Sequence, residues 1–340
     1  MCPQAVVIRG NSGVYSKFSD MVTDIIKEKS PLFEKSSIDE FYVDVTGMDH
    51  FFGCYDWAKE LRNKIIKETM LPISFGLSIN KTVSKVGTSE AKPNNFIQIP
   101  DGEEKNFLAP LSVKKIPMVG DQTYRLLRSM GIEKVKTVQE MPVELMESVL
   151  GKNGISLWKK AQGIDNSPVE AWNERKSISM ERTFEKDSTD VAKIKSILIS
   201  MAENLAFQLR NGNKLTACVS IKIRYSDFQT YSKQRIIPYT SLDRTLIQTT
   251  LDLFDQLYQR RILIRLIGVR FSHIIGGTYQ MRLFEDSEKL IRLYQSMDYV
   301  RKRFGDQAVK RAVTMGVKSI SGGHNPFNGQ PPVIPAHRRL

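Results

Sequence analysis

The sequence has few of the residues that bind zinc or form disulfides. Among its 340 residues are 4 histidines and 3 cysteines. Cys2, Cys54 and Cys218 lie far apart and lack the spacing of metal ligands. We therefore expect free thiols in a reducing cytoplasm, which argues against a disulfide framework.

Long apolar runs are also missing. No stretch has the length of a membrane-spanning helix, and no basic segment followed by an apolar signal core opens the chain. The hydrophobic content of 41% is still sufficient for buried cores, which argues against a disordered protein. A length of 340 residues allows two or three domains, and we find no internal repeat.

The charge is unevenly distributed along the chain. The formal net charge is +13, with −2 in residues 1–110 and +15 in residues 111–340. The basic part could hold a polyanion such as DNA or RNA and present it to carboxylates in the acidic part. Charge alone supports a merely soluble basic protein equally well.

The stretch SSIDEFYVDVTG, residues 36–47, places two carboxylates side by side at the start of an apolar strand. With period two, Asp39 shares a face with three apolar residues, whereas Glu40 shares the other face with Tyr42 and Asp44. A carboxylate on a buried apolar face is costly unless a cation or hydrogen-bond donors compensate it. The alternatives are a solvated hairpin end and a divalent-metal site.

The pattern of elements predicts a multidomain α+β protein. Helices alternate with strands in residues 1–109, short helices fill residues 110–170, and residues 171–176 are a linker. Residues 177–277 have a βαββαβ order, which predicts a four-stranded sheet with two helices on one face. Residues 278–340 contain a further helix and end in a Gly/Pro-rich tail that we expect to be mobile.

Seven motifs, from CPQAVVI and SSIDEFYVDVTG through VKKIPMVGDQTYRLLRSMGI to KSISMERTF and RLIGVRFS, occur in one order. By these motifs and their order along the chain, the sequence resembles the bacterial Y-family translesion DNA polymerases, from near residue 2 to about residue 284. The resemblance implies a partial palm in residues 1–109 and a helix–hairpin–helix thumb in residues 110–170. It also implies a little-finger domain that grips DNA in residues 177–277.

The resemblance implies template-directed DNA synthesis past lesions by a monomer that binds template–primer DNA and an incoming deoxynucleotide. Asp39 and Glu40 would be the catalytic carboxylates and would ligate two Mg²⁺ ions, which stabilise the attacking and leaving oxygens of nucleotidyl transfer. Asp44 would be structural. Lys92 would contact the triphosphate of the nucleotide.

The resemblance also assigns DNA-phosphate contacts. Lys81 and Lys85 lie on the helix before Lys92, where a solvated helix face is the alternative. Gly120 lies in the thumb hairpin, whose backbone N–H groups would face a phosphate. Met118 stands where the family usually has the first glycine of that hairpin, so a plain helical hairpin is the alternative there.

Basic residues on the little-finger strands are expected to cover one face of the sheet, as suits a DNA backbone. A solvated sheet face is the alternative. The residues are Arg182, Lys222, Arg224, Lys233, Arg235 and Arg270.

The segment YQMRLFED, residues 279–286, has the spacing of the peptide that binds the bacterial sliding clamp. Gln280 would form a hydrogen bond at the rim of an apolar pocket, and Leu283 and Phe284 would fill the pocket. The alternative is the start of a helix that packs on the protein itself.

The resemblance leaves two elements of the family without a counterpart. Y-family chains normally begin with a strand that carries another metal-binding aspartate, followed by a fingers subdomain. This sequence opens after both, so we expect a shortened chain that is inactive alone. The alternative function is a non-catalytic remnant that binds DNA and the clamp. An RNA-binding protein is less consistent, because it gives Asp39 and Glu40 no role.

Overall fold

The computed structural model describes residues 4–317 except residues 7, 9, 49–52, 172–174, 260–261, 278–286 and 306–307. The described residues divide into two compact units near residue 173. No helix among them is long and apolar enough to cross a membrane.

The first unit begins with short strands packed against helices. Its elements are α1 (Ser12–Lys29), β1 (Phe33–Lys35), β2 (Phe41–Val43), α2 (Cys54–Thr69), β3 (Phe75–Leu77), α3 (Lys81–Glu90), β4 (Phe96–Gln98) and α4 (Glu104–Leu108). The pair β1–β2 is antiparallel, and the pair β3–β4 is parallel. The described strands of this unit thus form two small sheets of two strands each.

Two apolar cores hold this unit together. Ile25 and Ile26 of α1 pack with Ile65 of α2 against the partly buried strand β2. The second core joins Val83 and Val86 of α3 to the helices that follow. Since burial of one aliphatic side chain contributes roughly 1.5–3 kcal/mol, these contacts fix α3 against the helical part of the unit.

The helical part consists of short elements. They are a 3₁₀ turn (Val113–Lys115), α5 (Asp121–Ser129), α6 (Val135–Glu140), α7 (Val143–Leu150) and α8 (Lys152–Ala161). The helices α7 and α8 cross closely at Gly154, where a Cβ atom would lie 1.9 Å from the carbonyl oxygen of Met146. Only glycine permits this approach of the two backbones.

The second unit confirms the βαββαβ prediction. Its elements are β5 (Ser177–Ser188), α9 (Val191–Asn211), β6 (Lys214–Tyr225), β7 (Thr230–Thr240), α10 (Asp243–Leu257) and β8 (Ile264–Gly276). The strands are antiparallel in the order β5-β8-β6-β7. One face of the sheet packs on α9 and α10 around Val219, Ile221 and Phe271. The other face, which we call the open face, carries no helix of the described sheet-and-helix module.

A further helix, α11 (Ser287–Phe304), docks on α9 and α10 through buried ion pairs. The guanidinium of Arg210 contacts the carboxylates of Asp243 and Asp298, at 2.5 and 2.6 Å. Glu203 pairs with Arg311 at 2.7 Å. Because the paired groups of Arg210, Asp243 and Asp298 are almost fully buried, the helix is an integral part of this unit.

Candidate active site and nucleic-acid interface

Asp39 and Glu40 lie in the turn between β1 and β2, where both are exposed. The hydroxyl of Ser37 donates to the Asp39 carboxylate at 2.6 Å. The N–H of Ser36 donates to the carbonyl oxygen of Glu40 at 2.9 Å, which closes the turn. The two side chains therefore lie at the tip of a hairpin that α1 and α2 support from below.

The prediction that Asp39 lies on a buried apolar strand face is wrong. The strand begins at Phe41, and it is Phe41 and Val43 that pack against the core. Ser37 and Asp39 hydrogen-bond with each other, and such local bonds compete with a strand ladder. Asp39 therefore stays in water, and no burial cost has to be offset by a cation.

Two lysines of α3 contact acidic groups around this turn. Lys85 pairs with Glu40 at 2.6 Å, and this hydrogen bond raises the pKa of the lysine. Lys81 contacts the Glu34 carboxylate closely, and its ammonium lies 5.3 Å from the ring centre of Tyr42. A DNA phosphate at either lysine would therefore compete with a carboxylate.

Glu34 also holds the segment after the helical part. It accepts a hydrogen bond from the N–H of Glu170 at 2.9 Å. Burial alone would raise the pKa of Glu34, but the bonds from Glu170 and Lys81 lower it overall. The hydroxyl of Thr82 forms a second link between α3 and this segment by donating a hydrogen bond to Asp165 at 2.6 Å. The start of α3 is thereby fixed next to the turn.

The donor chemistry of the turn suits a hard divalent cation. Asp39 and Glu40 offer exposed carboxylate oxygens, which Mg²⁺ prefers. No group of three or more His, Cys, Asp or Glu side chains with metal-binding geometry occurs among the described residues. The two carboxylates fit the cation in kind, while Lys85 competes for one of them.

Lys92 lies in the loop between α3 and β4, and its side chain is exposed. Asn80 caps the other end of α3 by accepting from the N–H of Val83 at 3.0 Å. The amide of Asn80 also donates to the carbonyl oxygen of Gly163 at 2.8 Å. The helix that precedes Lys92 is thus anchored at its N-terminus, and Lys92 is accessible to a ligand.

The thumb hairpin is formed by residues 116–120. Gly120 precedes α5, and no side chain caps the N–H groups of that helix end. An uncapped helix N-terminus of this kind attracts anions. Met118 adopts a φ of +80° with 79% of its surface exposed, a backbone conformation that favours glycine. The hairpin therefore keeps the glycine-like backbone while it carries a long side chain.

We expect Met118→Gly to strengthen binding to template–primer DNA by roughly threefold to tenfold, because removal of the side chain lets a phosphate approach the hairpin backbone. The measurement is fluorescence anisotropy with a labelled duplex.

Met70→Gly is the matched control for this change. Met70 has a φ of +59° and is 83% exposed, but it ends α2, away from the hairpin. Both substitutions relieve a similar backbone strain, of about 1 kcal/mol. Equal effects of the two variants on DNA affinity would show that the hairpin makes no phosphate contact.

The open face of the second unit carries Lys222, Arg224 and Arg270. Lys222 lies opposite Gly268, and Arg270 lies opposite Ser220, so that all three basic residues share this face. Arg224 is fixed by a bond of 2.8 Å from its Nε atom to the hydroxyl of Thr230. The structure thus brings together half of the predicted basic set.

The other half lies on the opposite side, so the prediction of one shared face is wrong for these residues. Arg182 pairs with Ile267, Lys233 with Ile221 and Arg235 with Val219, and all three partners belong to the core. Directly opposed residues of antiparallel strands point to the same face. The hairpin register therefore turns Lys233 and Arg235 toward the helices, where Arg235 pairs with Asp252 of α10 at 3.2 Å.

Glu181 is a residue of the open face that the sequence analysis did not identify. Its carboxylate contacts the ammonium of Lys222 across β8, at Gly268. A Cβ atom at Gly268 would lie 2.8 Å from the Cγ atom of Glu181, so the glycine makes room for this pair. A glycine within an otherwise bulky strand was the signal that could have revealed the contact.

The predicted clamp-binding residues Gln280, Leu283 and Phe284 lie outside the described residues.

Three family models match the chain in separate segments. The impB/mucB/samB family matches residues 1–89, and the C-terminal domain of the same family matches residues 175–283. The thumb domain of DNA polymerase iota matches residues 114–165. In chain order, the three matches cover the turn with its two carboxylates, the thumb hairpin and the sheet with the open face.

Relatives with known names match most of the chain. A DNA polymerase IV of Dehalococcoides mccartyi is 34% identical over 94% of this chain and 83% of its own length. A DNA polymerase IV of Clostridium acetobutylicum is 30% identical over 92% of this chain and 80% of its own length. Among solved structures, a Y-family DNA polymerase chimera of Dbh and Dpo4 has a TM-score of 0.66 at 22% identity. It covers 81% of this chain and 80% of the chimera.

Proposed function

Because the chain belongs to the Y family of DNA polymerases, we propose that it serves template-directed DNA synthesis past damaged bases. The observation that carries this proposal is the exposed pair Asp39 and Glu40 at the hairpin tip, in the same chain as a basic sheet face. The two carboxylates offer hard ligands for the cations of the reaction, and the basic sheet face offers positive charge to the DNA substrate.

Asp39 and Glu40 would hold two Mg²⁺ ions, which when bound stabilise the attacking and leaving oxygens of nucleotidyl transfer. Ser37 orients the Asp39 carboxylate through its hydroxyl. Lys85 would release Glu40 and remain beside it as a cation. Lys92 would bind the triphosphate of the incoming deoxynucleotide as a mobile positive charge.

The template–primer would be held by two surfaces. The thumb, residues 110–170, would bind a phosphate at Gly120, and the little finger, residues 177–277, would bind the backbone along its open face. Both surfaces offer sequence-independent contacts, N–H groups in one case and guanidinium or ammonium groups in the other. Residues 1–109 would form the palm that carries Asp39.

Template direction can be tested without turnover. We expect a template–primer to bind more tightly when the deoxynucleotide complementary to the templating base is added with Mg²⁺. Asp39→Ala should abolish this gain, because the cation that joins the triphosphate to the palm loses a ligand. Asp44→Ala is the control, since the Asp44 carboxylate instead accepts the N–H of Thr46 at 2.9 Å. The measurement is anisotropy with each of the four nucleotides in turn.

A primer-extension assay on the same chain distinguishes an enzyme from a non-catalytic remnant. Because two carboxylates at the turn are few hard ligands for Mg²⁺, we expect extension by the 340-residue chain to stay near background. Rapid extension that Asp39→Ala abolishes would contradict that expectation while supporting the assignment of Asp39. If all four nucleotides raise the affinity for template–primer equally, whatever the templating base, the polymerase function itself is contradicted.

A sliding clamp is the proposed protein partner, through Gln280, Leu283 and Phe284. We expect Leu283→Ala/Phe284→Ala to abolish capture of the chain by a bacterial clamp, because two adjacent apolar anchors supply most of the energy of such short motifs. The measurement is a pull-down with immobilised clamp. Leu293→Ala is the control, since Leu293 is an exposed apolar residue of α11 outside the motif. Undiminished capture of the double variant would exclude this partner site.

A further inference from the structure

The open face carries one carboxylate among its basic side chains. Glu181 is the only acidic residue in the paired stretches of the four strands, which are residues 177–183, 218–224, 230–236 and 266–272. An acid on a surface that binds DNA repels the phosphate backbone and weakens binding. The contacts of Glu181 therefore decide what this residue does on the open face.

Glu181 and Lys222 meet above Gly268. Both residues lie opposite this glycine in the sheet, Glu181 from β5 and Lys222 from β6, so their side chains span the strand β8 between them. The Glu181 carboxylate lies 2.5 Å from the Lys222 ammonium. A glycine inside a strand often marks a place where another group approaches the backbone closely. In this protein the carboxylate of Glu181 fills the space next to that glycine.

The two other basic residues of the open face differ from Lys222 in their contacts. Arg270 lies two residues along β8 from Gly268, and Arg224 lies two residues along β6 from Lys222, a spacing of roughly 7 Å in each case. The guanidinium of Arg224 bonds to the neutral hydroxyl of Thr230 at 2.8 Å. Among the ion pairs of the described residues, only Lys222 of these three cations contacts a carboxylate. One of three successive cations is thus neutralised in the free protein.

We propose that the Glu181 carboxylate occupies a DNA-phosphate site in the free protein and thereby limits the affinity of the open face for duplex. The site consists of the Lys222 ammonium and the space above Gly268. A phosphate oxygen would replace the carboxylate oxygen, since both anions accept charge-assisted hydrogen bonds from an ammonium group. This inference rests on the proposed DNA interface and adds to it a residue that sets the strength of binding.

The exposure of the pair suits exchange of one anion for another. The side chains of Lys222 and Glu181 are 40% and 43% exposed, and exposed ion pairs contribute little to stability. The sheet does not depend on the pair, because β5 and β6 are each hydrogen-bonded to β8 along most of their length. Lys222 can therefore leave Glu181 for a phosphate at a small cost, and that cost lowers the affinity for DNA.

The test measures binding of a blunt duplex to the full chain by fluorescence anisotropy over a range of salt concentrations. Glu181→Gln keeps the shape of the side chain and removes its charge. We expect it to raise duplex affinity about fivefold. The salt slope should steepen by up to about 0.9, because Lys222 then meets the phosphate as an unpaired cation. In a chain that already carries Lys222→Gln, the same substitution should raise affinity less than about twofold, since the pair no longer exists.

Asp255→Asn is the matched control. The Asp255 carboxylate pairs with Lys195 at 2.7 Å on α9 and α10, which cover the other side of the sheet. This substitution also removes one negative charge and releases a lysine, yet it should change duplex affinity less than about twofold. Equal gains in Glu181→Gln and Asp255→Asn, or no gain in Glu181→Gln, would overturn the proposal. If Lys222→Gln alone leaves duplex affinity unchanged, the open face is not the interface, and the role of Glu181 is excluded with it.

Discussion

Replacing Lys222, Arg224 and Arg270 together by glutamine is expected to lower the affinity for duplex DNA by about a hundredfold at 0.1 M salt. These three side chains lie on the open face, in register on β6 and β8. Each phosphate contact contributes roughly 0.9 to the slope of log affinity against log salt, so the slope should fall by roughly 3. The measurement is a salt titration followed by fluorescence anisotropy.

The matched control removes the same charge from the same sheet. Arg182, Lys233 and Arg235 lie on the helix side, so their replacement by glutamine breaks the pair of Arg235 with Asp252 but affects DNA on the open face only through the long-range field. We expect a loss below about threefold. If the two triple variants lose equal affinity, binding depends on net charge alone, and the open face has no special role.

Arg210→Met is expected to destabilise the second unit by about 3–5 kcal/mol. The methionine leaves the buried carboxylates of Asp243 and Asp298 without their shared cation, and a buried unpaired charge is costly. The midpoint of urea unfolding, followed by circular dichroism, measures the change. Lys195→Met is the control: its exposed pair with Asp255 should contribute less than about 1 kcal/mol.

The effect of Arg210→Met should depend on pH. Burial raises the pKa of Asp243 even with Arg210 present, and loss of the guanidinium removes the opposing attraction. A carboxyl with a raised pKa binds its proton more tightly in the folded state, so acid relieves the cost. The difference between variant and parent should therefore shrink as pH falls. If the stability difference between variant and parent stays constant as the pH falls, Asp243 is not the group left unpaired.

The sequence predicted the elements of the second unit better than the faces of its strands. Amphipathic helices and period-two strands are local patterns, so the βαββαβ order could be derived. Register is not local: the shift between Thr216 and Cys218 and the turn before Thr230 decide which side chains oppose each other. Lys222 and Lys233 therefore looked equivalent in the sequence and lie on opposite faces.

Other features depend on contacts that no local pattern contains. Arg210 and Asp298 are 88 residues apart in the chain, so the ion pair that docks α11 was not foreseeable. Asp39 was misplaced for the opposite reason, because the strand begins only at Phe41, after a turn in which Ser37 forms a short-range bond to Asp39. The adjacent carboxylates were nevertheless correctly placed next to the apolar strand that supports them.

Lysine acylation footprinting of the full chain, read by mass spectrometry, tests most directly whether this polymerase holds DNA on the open face. Lys222 and Lys233 are neighbours on paired strands, and both can react in the free protein. Template–primer duplex should protect Lys222 strongly and leave Lys233 reactive. Protection of Lys233 with unchanged reactivity of Lys222 would place the DNA on the helix side and contradict the proposed interface.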